Sequence, residues 1–199
     1  MKEIAVTAPD VPPAPGAEQH PALDFANSAV TVPGGQVLDA LGTPESATRW
    51  LIDHGLAPSD ARLHEVCAGR LRSLRDATRS LLKARVRDEE PPREALAAVN
   101  AALARVPTAS VLRWDPGVGL HRATSHPTDQ VVDHALGVLA ADAAELLTGP
   151  DAPRLAACDS PPCSRYLLRS GRRQWCSVRC GDRVRAARAY ARRTRPETV

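Results

Sequence analysis

Several absences narrow the field before any motif is considered. Arg, Asp, Glu or Pro interrupts every apolar stretch, so no window reaches the about 20 uncharged residues that a membrane span requires, and no membrane partner is expected. The opening MKEIAVTAPDVPPAPGAEQHP holds a single lysine, Lys2, and no continuous apolar core. It does not read as a secretory signal, and a cytoplasmic, reducing location is expected. The five cysteines are odd in number and therefore read as thiols or metal ligands rather than as a disulfide framework. Aromatic residues amount to only 3% of the chain, thin support for stacking on single-stranded nucleic acid. There is no G-x-S-x-G, no P-loop and no dinucleotide fingerprint, so no conventional enzyme is visible.

What remains is a chain of 199 residues, 43% hydrophobic and 25% charged, the make-up of a globular protein with one larger domain or two small ones. Its formal charge of +3 conceals an uneven distribution. Residues 1–153 carry 14 Lys and Arg against 20 Asp and Glu, whereas residues 154–199 carry 12 Arg against Asp159, Asp182 and Glu197. A basic C-terminal piece on an acidic larger one is the pattern of a polyanion-binding module joined to another domain.

Residues 1–20 contain Pro12, Pro13 and Pro15 among small and polar residues, which predicts a flexible arm. Leu23-Asp24-Phe25-Ala26-Asn27-Ser28 reads as a short ordered segment, in which Asp24 and Asn27 could cap, hydrogen-bond in the interior or line a ligand pocket. Val32 to Val37 reads as a turn around Pro33-Gly34-Gly35; the Gly34-Gly35-Gln36 tripeptide there is too short to carry a function. Thr43-Pro44-Glu45 starts a helix that Gly55 ends. From Ser59 to Arg87, Leu63, Cys67, Leu71, Leu74, Thr78 and Leu81 follow helical spacing and predict a long amphipathic helix, with Cys67 in its core face. A second stripe, Arg72, Arg75, Arg79 and Lys83, reads as a solvated face. After Pro91-Pro92 a helix over 94–105 is expected, then a hairpin over 110–123 around Asp115-Pro116-Gly117, the only β structure expected in this half, then a helix over 127–147. His121, His126 and His134 with Asp129 and Asp133 read as ordinary surface groups. Thr148-Gly149-Pro150-Asp151-Ala152-Pro153 marks a domain boundary.

The chemistry is concentrated beyond that boundary. Cys158, Cys163, Cys176 and Cys180 spell C-x4-C-x12-C-x3-C, two short-spaced thiol pairs of the kind that tetrahedral zinc requires. Four protein ligands leave no open position, so the Zn2+ would be structural. Arg165, Arg172, Arg173, Arg179 and Arg183 stand near enough in sequence to offset thiolate charge. Helical spacing then places Arg185, Arg188, Arg192 and Arg195 on one face, with Val184, Ala187 and Ala191 on a face expected to pack against the zinc core. Arginine forks suit phosphate and guanine edges, and the candidate duplex-DNA contacts are Arg172, Arg173, Arg183, Arg185, Arg188, Arg192 and Arg193.

Arg173-Gln174-Trp175-Cys176-Ser177 followed by Cys180-Gly181-Asp182-Arg183 resembles the CGNR-type zinc finger of inferred bacterial transcription regulators. Leu23 to Ser28 is similar to the LDFVNT-like opening of the helical ABATE domain that accompanies this finger. Asp182 stands where the name motif has Asn, and Tyr166-Leu167-Leu168-Arg169 replaces a Phe-x-Asp element in the loop. The resemblance implies a stress-type or pathway-type DNA-binding regulator. The expected fold is mostly α: a flexible arm over 1–20, a helical domain with a short hairpin over 21–150, and a treble-clef-like or ribbon-like four-cysteine finger ending in a basic helix over 151–199. The helical domain would form a homodimer or sense a small-molecule effector. Two other readings remain at this stage. One is a small-molecule-binding protein or biosynthetic enzyme with a purely structural finger; the other is an adaptor whose basic face docks an acidic partner or the chain's own acidic domain.

Overall fold

The structure, a computed structural model, describes residues 12–31, 37–105, 110–124 and 130–194. Residues 1–11 of the expected arm, the turn at Val32–Gln36, His126, Asp129 and Arg195 lie outside them. The chain begins with α1 (Pro21–Ala26), a single helical turn and a half led by proline, whose Ala22, Leu23, Phe25 and Ala26 are all buried. β1 (Ala29–Thr31) and β2 (Val37–Asp39) pair antiparallel, Val30 opposite Leu38, so the acidic half contains more β structure than the one hairpin expected. In α2 (Pro44–Asp53), Thr43 and Ser46 form a reciprocal capping box, satisfying amides that a helix start leaves unpaired.

The long helix α3 (Glu65–Arg87) begins six residues later than the apolar stripe implied. Pro58 to Leu63 instead forms a turn and an irregular stretch, fixed where the Leu63 amide donates to Thr48 Oγ1 at 3.1 Å. Asp88, with φ of 56°, ends it in the left-handed region. α4 (Arg93–Arg105) and α5 (Val131–Thr148) pack on α3 and on each other. Between them rises a hairpin of β3 (Ser110–Asp115) and β4 (Gly119–Thr124). Phe25, Leu41, Trp50, Leu51, Leu71, Leu139 and their neighbours form the main core. No helix among the described residues is long and apolar enough to cross a membrane.

The arginine stripe of α3 is not a solvated face. Arg75 is buried against Asp39 at 2.6 Å and Asp76 at 3.1 Å, and Arg72 donates to the Leu41 carbonyl at 3.0 Å. Arg79 donates to the carbonyls of Ala26 and of Ser164, the latter at 2.8 Å, and lies over the Tyr166 ring. Lys83 alone of the four is exposed. Periodicity identified the stripe but not its partners, which are backbone carbonyls and acids brought by distant segments. Likewise His134 is buried at 3% exposure, while His121 pairs with Asp115 and Asp133 with Arg70 and Arg105. Of the proposed surface histidines, His134 is therefore a core residue.

After α5, a turn at Ala152–Arg154 leads into β5 (Leu155–Ala157), which pairs with β6 (Tyr166–Leu168), and the chain ends in α6 (Val178–Arg193). Leu155, Tyr166 and Leu168 share one apolar cluster with Leu23, Ala26, Leu82 and Leu146. The acidic and basic halves are thus joined by common core. Residues 12–20 are ordered as well, in correction of the expected arm. Ala14 is buried, the Leu168 amide donates to Pro15 O at 2.8 Å, and Arg165 Nη2 donates to Pro12 O at 2.8 Å. Gly16 has φ of 95°, and a Cβ there would lie 2.6 Å from Leu168. The low apolar content of the segment was a poor guide because β6 supplies the surface it covers.

Candidate zinc centre and nucleic-acid interface

The first thiol pair sits at the tip of the β5–β6 hairpin. The Cys158 amide donates to Arg165 O at 2.8 Å, closing the base of the loop, and the Cys163 amide donates to Ser160 O at 2.8 Å. The second pair starts α6: Ser177 is the N-cap, its Oγ accepting from the Cys180 amide at 3.2 Å, so Cys180 belongs to the first helical turn. Ser160 Oγ donates to Cys180 O at 3.0 Å and ties the two pairs together. The four sulfurs lie within 4.8 Å of one another.

Four sulfurs at about 2.3 Å from a tetrahedral zinc stand about 3.8 Å apart. The Cys163–Cys176 and Cys176–Cys180 separations of 3.6 and 3.7 Å match that edge. Three of the four side chains are buried. Hydrogen bonds to Cys163 and Cys176, together with burial, push the Cys158 thiol up. Hydrogen bonds from Cys158 and Cys163, aided by the Arg165 guanidinium, pull the Cys176 thiol down to about 2. Sulfurs this crowded cannot all ionise without a cation, and Zn2+ supplies it. Arg165, 4% exposed with Nη1 3.9 Å from Cys176 Sγ, offsets part of the remaining negative charge. Arg183 reaches toward Ser160 and Pro161, whereas Arg172, Arg173 and Arg179 are exposed.

Residues 154–193 match the CGNR zinc finger. Residues 19–150 match ABATE, described as "Putative stress-induced transcription regulator". The chain belongs to the ABATE family. No curated protein matches it. In this ABATE protein the four clustered thiols of Cys158, Cys163, Cys176 and Cys180 lie within the CGNR zinc finger and could together hold its structural zinc.

Beyond the zinc ligands, α6 leaves the finger. Only Cys180 and Gly181 are buried along it. Gly181 lets the Trp175 ring lie against the helix, since a Cβ there would stand 3.0 Å from that ring. Arg185 covers the same ring and pairs with Asp182 at 2.6 Å. The expected packing face is absent: Val184 is half-buried, but Ala187 and Ala191 are exposed. The hairpin that holds the zinc is too short to follow the helix past its first turns. Arg185, Arg188, Arg192 and Arg193 all face solvent, so the basic face of α6 does not dock the chain's own acidic half, one of the two partners that the adaptor reading offers.

The two polar residues of the opening segment have separate places. Asn27 Nδ2 donates to Tyr166 O at 2.9 Å, and its Oδ1 accepts from the Tyr166 amide at 2.8 Å. Asp24 pairs with His54, 2.9 Å away and stacked on Trp50. The interior hydrogen bond expected of Asn27 is thus present, with a partner 139 positions away that no local pattern names. Ser160 carried no sequence signal at all.

Proposed function

We propose that this ABATE-family protein is a DNA-binding transcription regulator in which the zinc finger orients α6 and the arginines of α6 contact the duplex. The observation that carries this reading is the exposure of Arg185, Arg188, Arg192 and Arg193 on a helix that extends past its packing. Sixteen residues span about 24 Å, and a helix fits the major groove, where forked guanidinium groups reach phosphates and guanine edges. Arg172 and Arg173, exposed in the loop before Cys176, add backbone contacts. The helical domain contributes dimerisation or effector sensing.

The test is binding of zinc-loaded protein to sheared genomic DNA, with bound fragments sequenced and affinity followed against salt. A shared site and a steep salt dependence are expected. Arg188→Ala with Arg192→Ala should retain zinc and lower the slope of log K against log salt by about 1 to 2. Retained zinc with unchanged DNA affinity in that variant would overturn the assignment of α6.

A further inference from the structure

The arginines along α6 differ in how they are held. Arg188, Arg192 and Arg193 are exposed and have no partner among the described residues. Arg185 is fixed from two sides: its Nη2 donates to Asp182 Oδ1 at 2.6 Å, and its guanidinium carbon lies 5.6 Å from the centre of the Trp175 ring. That ring is itself seated, half-buried against the cluster that contains Leu167, Cys158, Cys176 and Cys180. Gly181 leaves room for both groups, since a Cβ there would stand 3.0 Å from the Trp175 ring and 3.1 Å from Arg185 Nη1. The Arg185 side chain nevertheless remains 59% exposed, so the donors outside the pair are open to a ligand.

A guanidinium held in this way suits base edges better than phosphates. A phosphate draws a free guanidinium by charge and accepts from many directions, so it asks for no fixed geometry. Two acceptors on a base edge are a fixed pair, and a mobile arginine must surrender rotamer freedom to meet both. The Asp182 carboxylate also offsets the Arg185 charge and repels phosphate, which makes the pair a poor counterion. It remains a well-aimed donor. An acid stands at 182 where the CGNR motif has Asn, and a neutral amide could not hold the guanidinium by charge. In the major groove guanine presents N7 and O6 as neighbouring acceptors, whereas adenine replaces O6 with an amino donor. Position agrees: Asp182 and Arg185 lie in the first half of α6, the part of a recognition helix that meets base edges.

We propose that Arg185, held by Asp182 and Trp175, is the guanine-reading residue of α6, while Arg188, Arg192 and Arg193 contact phosphates. This rests on the reading of α6 as a DNA-binding helix, and the experiment separates the two. Random-sequence duplexes are selected with the full-length, zinc-loaded protein, and affinity is followed against salt on the selected duplex and on duplexes in which each guanine is replaced by adenine. The wild type should prefer guanine by about tenfold at one or more positions. Arg185→Ala should lose that preference at a single position and keep the rest of the motif and the salt slope. Arg185→Lys keeps the charge and an aliphatic stem over Trp175, and it replaces the alanine variant if that one loses zinc. It should keep the slope and lose most of the preference, because one ammonium cannot pair with Asp182 and bridge N7 and O6 together. Asp182→Asn should weaken the same preference and raise affinity for unrelated duplexes, an effect that a purely structural pair would not produce. Arg188→Ala should instead weaken binding to every duplex and lower the slope of log K against log salt by about 1. An unchanged motif in the Arg185 variants, or a uniform loss in Arg185→Ala with the slope lower by about 1, would overturn the proposal and leave the DNA-binding helix in place. A wild type that binds no duplex would remove the reading of α6 and the proposal with it.

Discussion

Asn27 acts as a one-residue strand edge, its amide group exchanging two hydrogen bonds with the Tyr166 backbone across 139 positions of chain. Truncation in Asn27→Ala would leave a buried amide and a buried carbonyl without partners, each worth about 1–3 kcal/mol. A loss of about 2–4 kcal/mol in urea unfolding is therefore expected; a change below 1 kcal/mol would mean water replaces the side chain readily. His20 shows a second long-range device. Its Nδ1 lies 2.9 Å from Asp142 and its Nε2 3.3 Å from Asp151, and two ionised carboxylates can both accept only from an imidazolium. Burial lowers its pKa, but Asp142 and Asp151 outweigh burial and leave it raised above 6.5. The stabilisation is thus complete below the unfolded value near 6.5 and is lost as pH rises through the higher folded value. His54 behaves alike: burial lowers its pKa, and the bonds to Asp24 and Trp50 raise it further than burial lowers it. Urea midpoints of the zinc-loaded protein should fall between pH 6 and pH 8, and His20→Gln should show a shallower fall. Parallel pH profiles for the two proteins would remove His20 from the account.

The elements were legible in the sequence where their signals are local. The Thr43-Pro44-Glu45 start of α2, the apolar period of α3, the Asp115-Pro116-Gly117 hairpin and the cysteine spacing each depend on residues within a few turns of one another. The three-residue pair β1–β2 has no comparable signal, and the arginines of α3 could not disclose partners that lie in β2, α1 and the finger. The helical period of α6 was equally clear, yet its expected packing face failed because spacing reports which residues share a side, not whether anything covers it. This gives α6 a distinct dynamic character. Its first turn is capped by Ser177 and held by Cys180, while the turns after Val184 have no buried residue. Hydrogen exchange should find the amides of 186–193 far less protected than those in the middle of α3, because few buried contacts resist local opening. Duplex DNA should restore protection there. Equal protection of both segments without DNA would show that α6 is covered by something outside the described chain.

At the scale of the whole molecule, the zinc centre and the helical layers form a connected structure. Leu155, Tyr166 and Leu168 bury their side chains with Leu23, Ala26, Leu82 and Leu146, while Ala156 and Leu167 of the same two strands pack with Cys158, Cys176 and Cys180. The β5–β6 hairpin consequently has one face toward the helices and the other toward the metal, and residues 12–16 clip its outer edge. Zinc binding free energy in small fingers is folding free energy, and here the hairpin it organises also completes a core belonging to α1, α3 and α5. Chelation or Cys176→Ser should therefore lower the stability of the helical layers too, rather than melt an independent tail. Calorimetry of the zinc-loaded protein should give one cooperative transition, and excess chelator should shift that whole transition downward in temperature. Trp50 lies in the helical core and Trp175 beside the zinc ligands, so, in a Trp114→Phe background that removes the third tryptophan, Trp175→Phe and Trp50→Phe variants report the two regions separately by fluorescence. Coincident melting in both variants is the expected result. A chelator that abolishes the signal near Cys176 while the helical transition stays in place would show that the shared core is too weak to couple them.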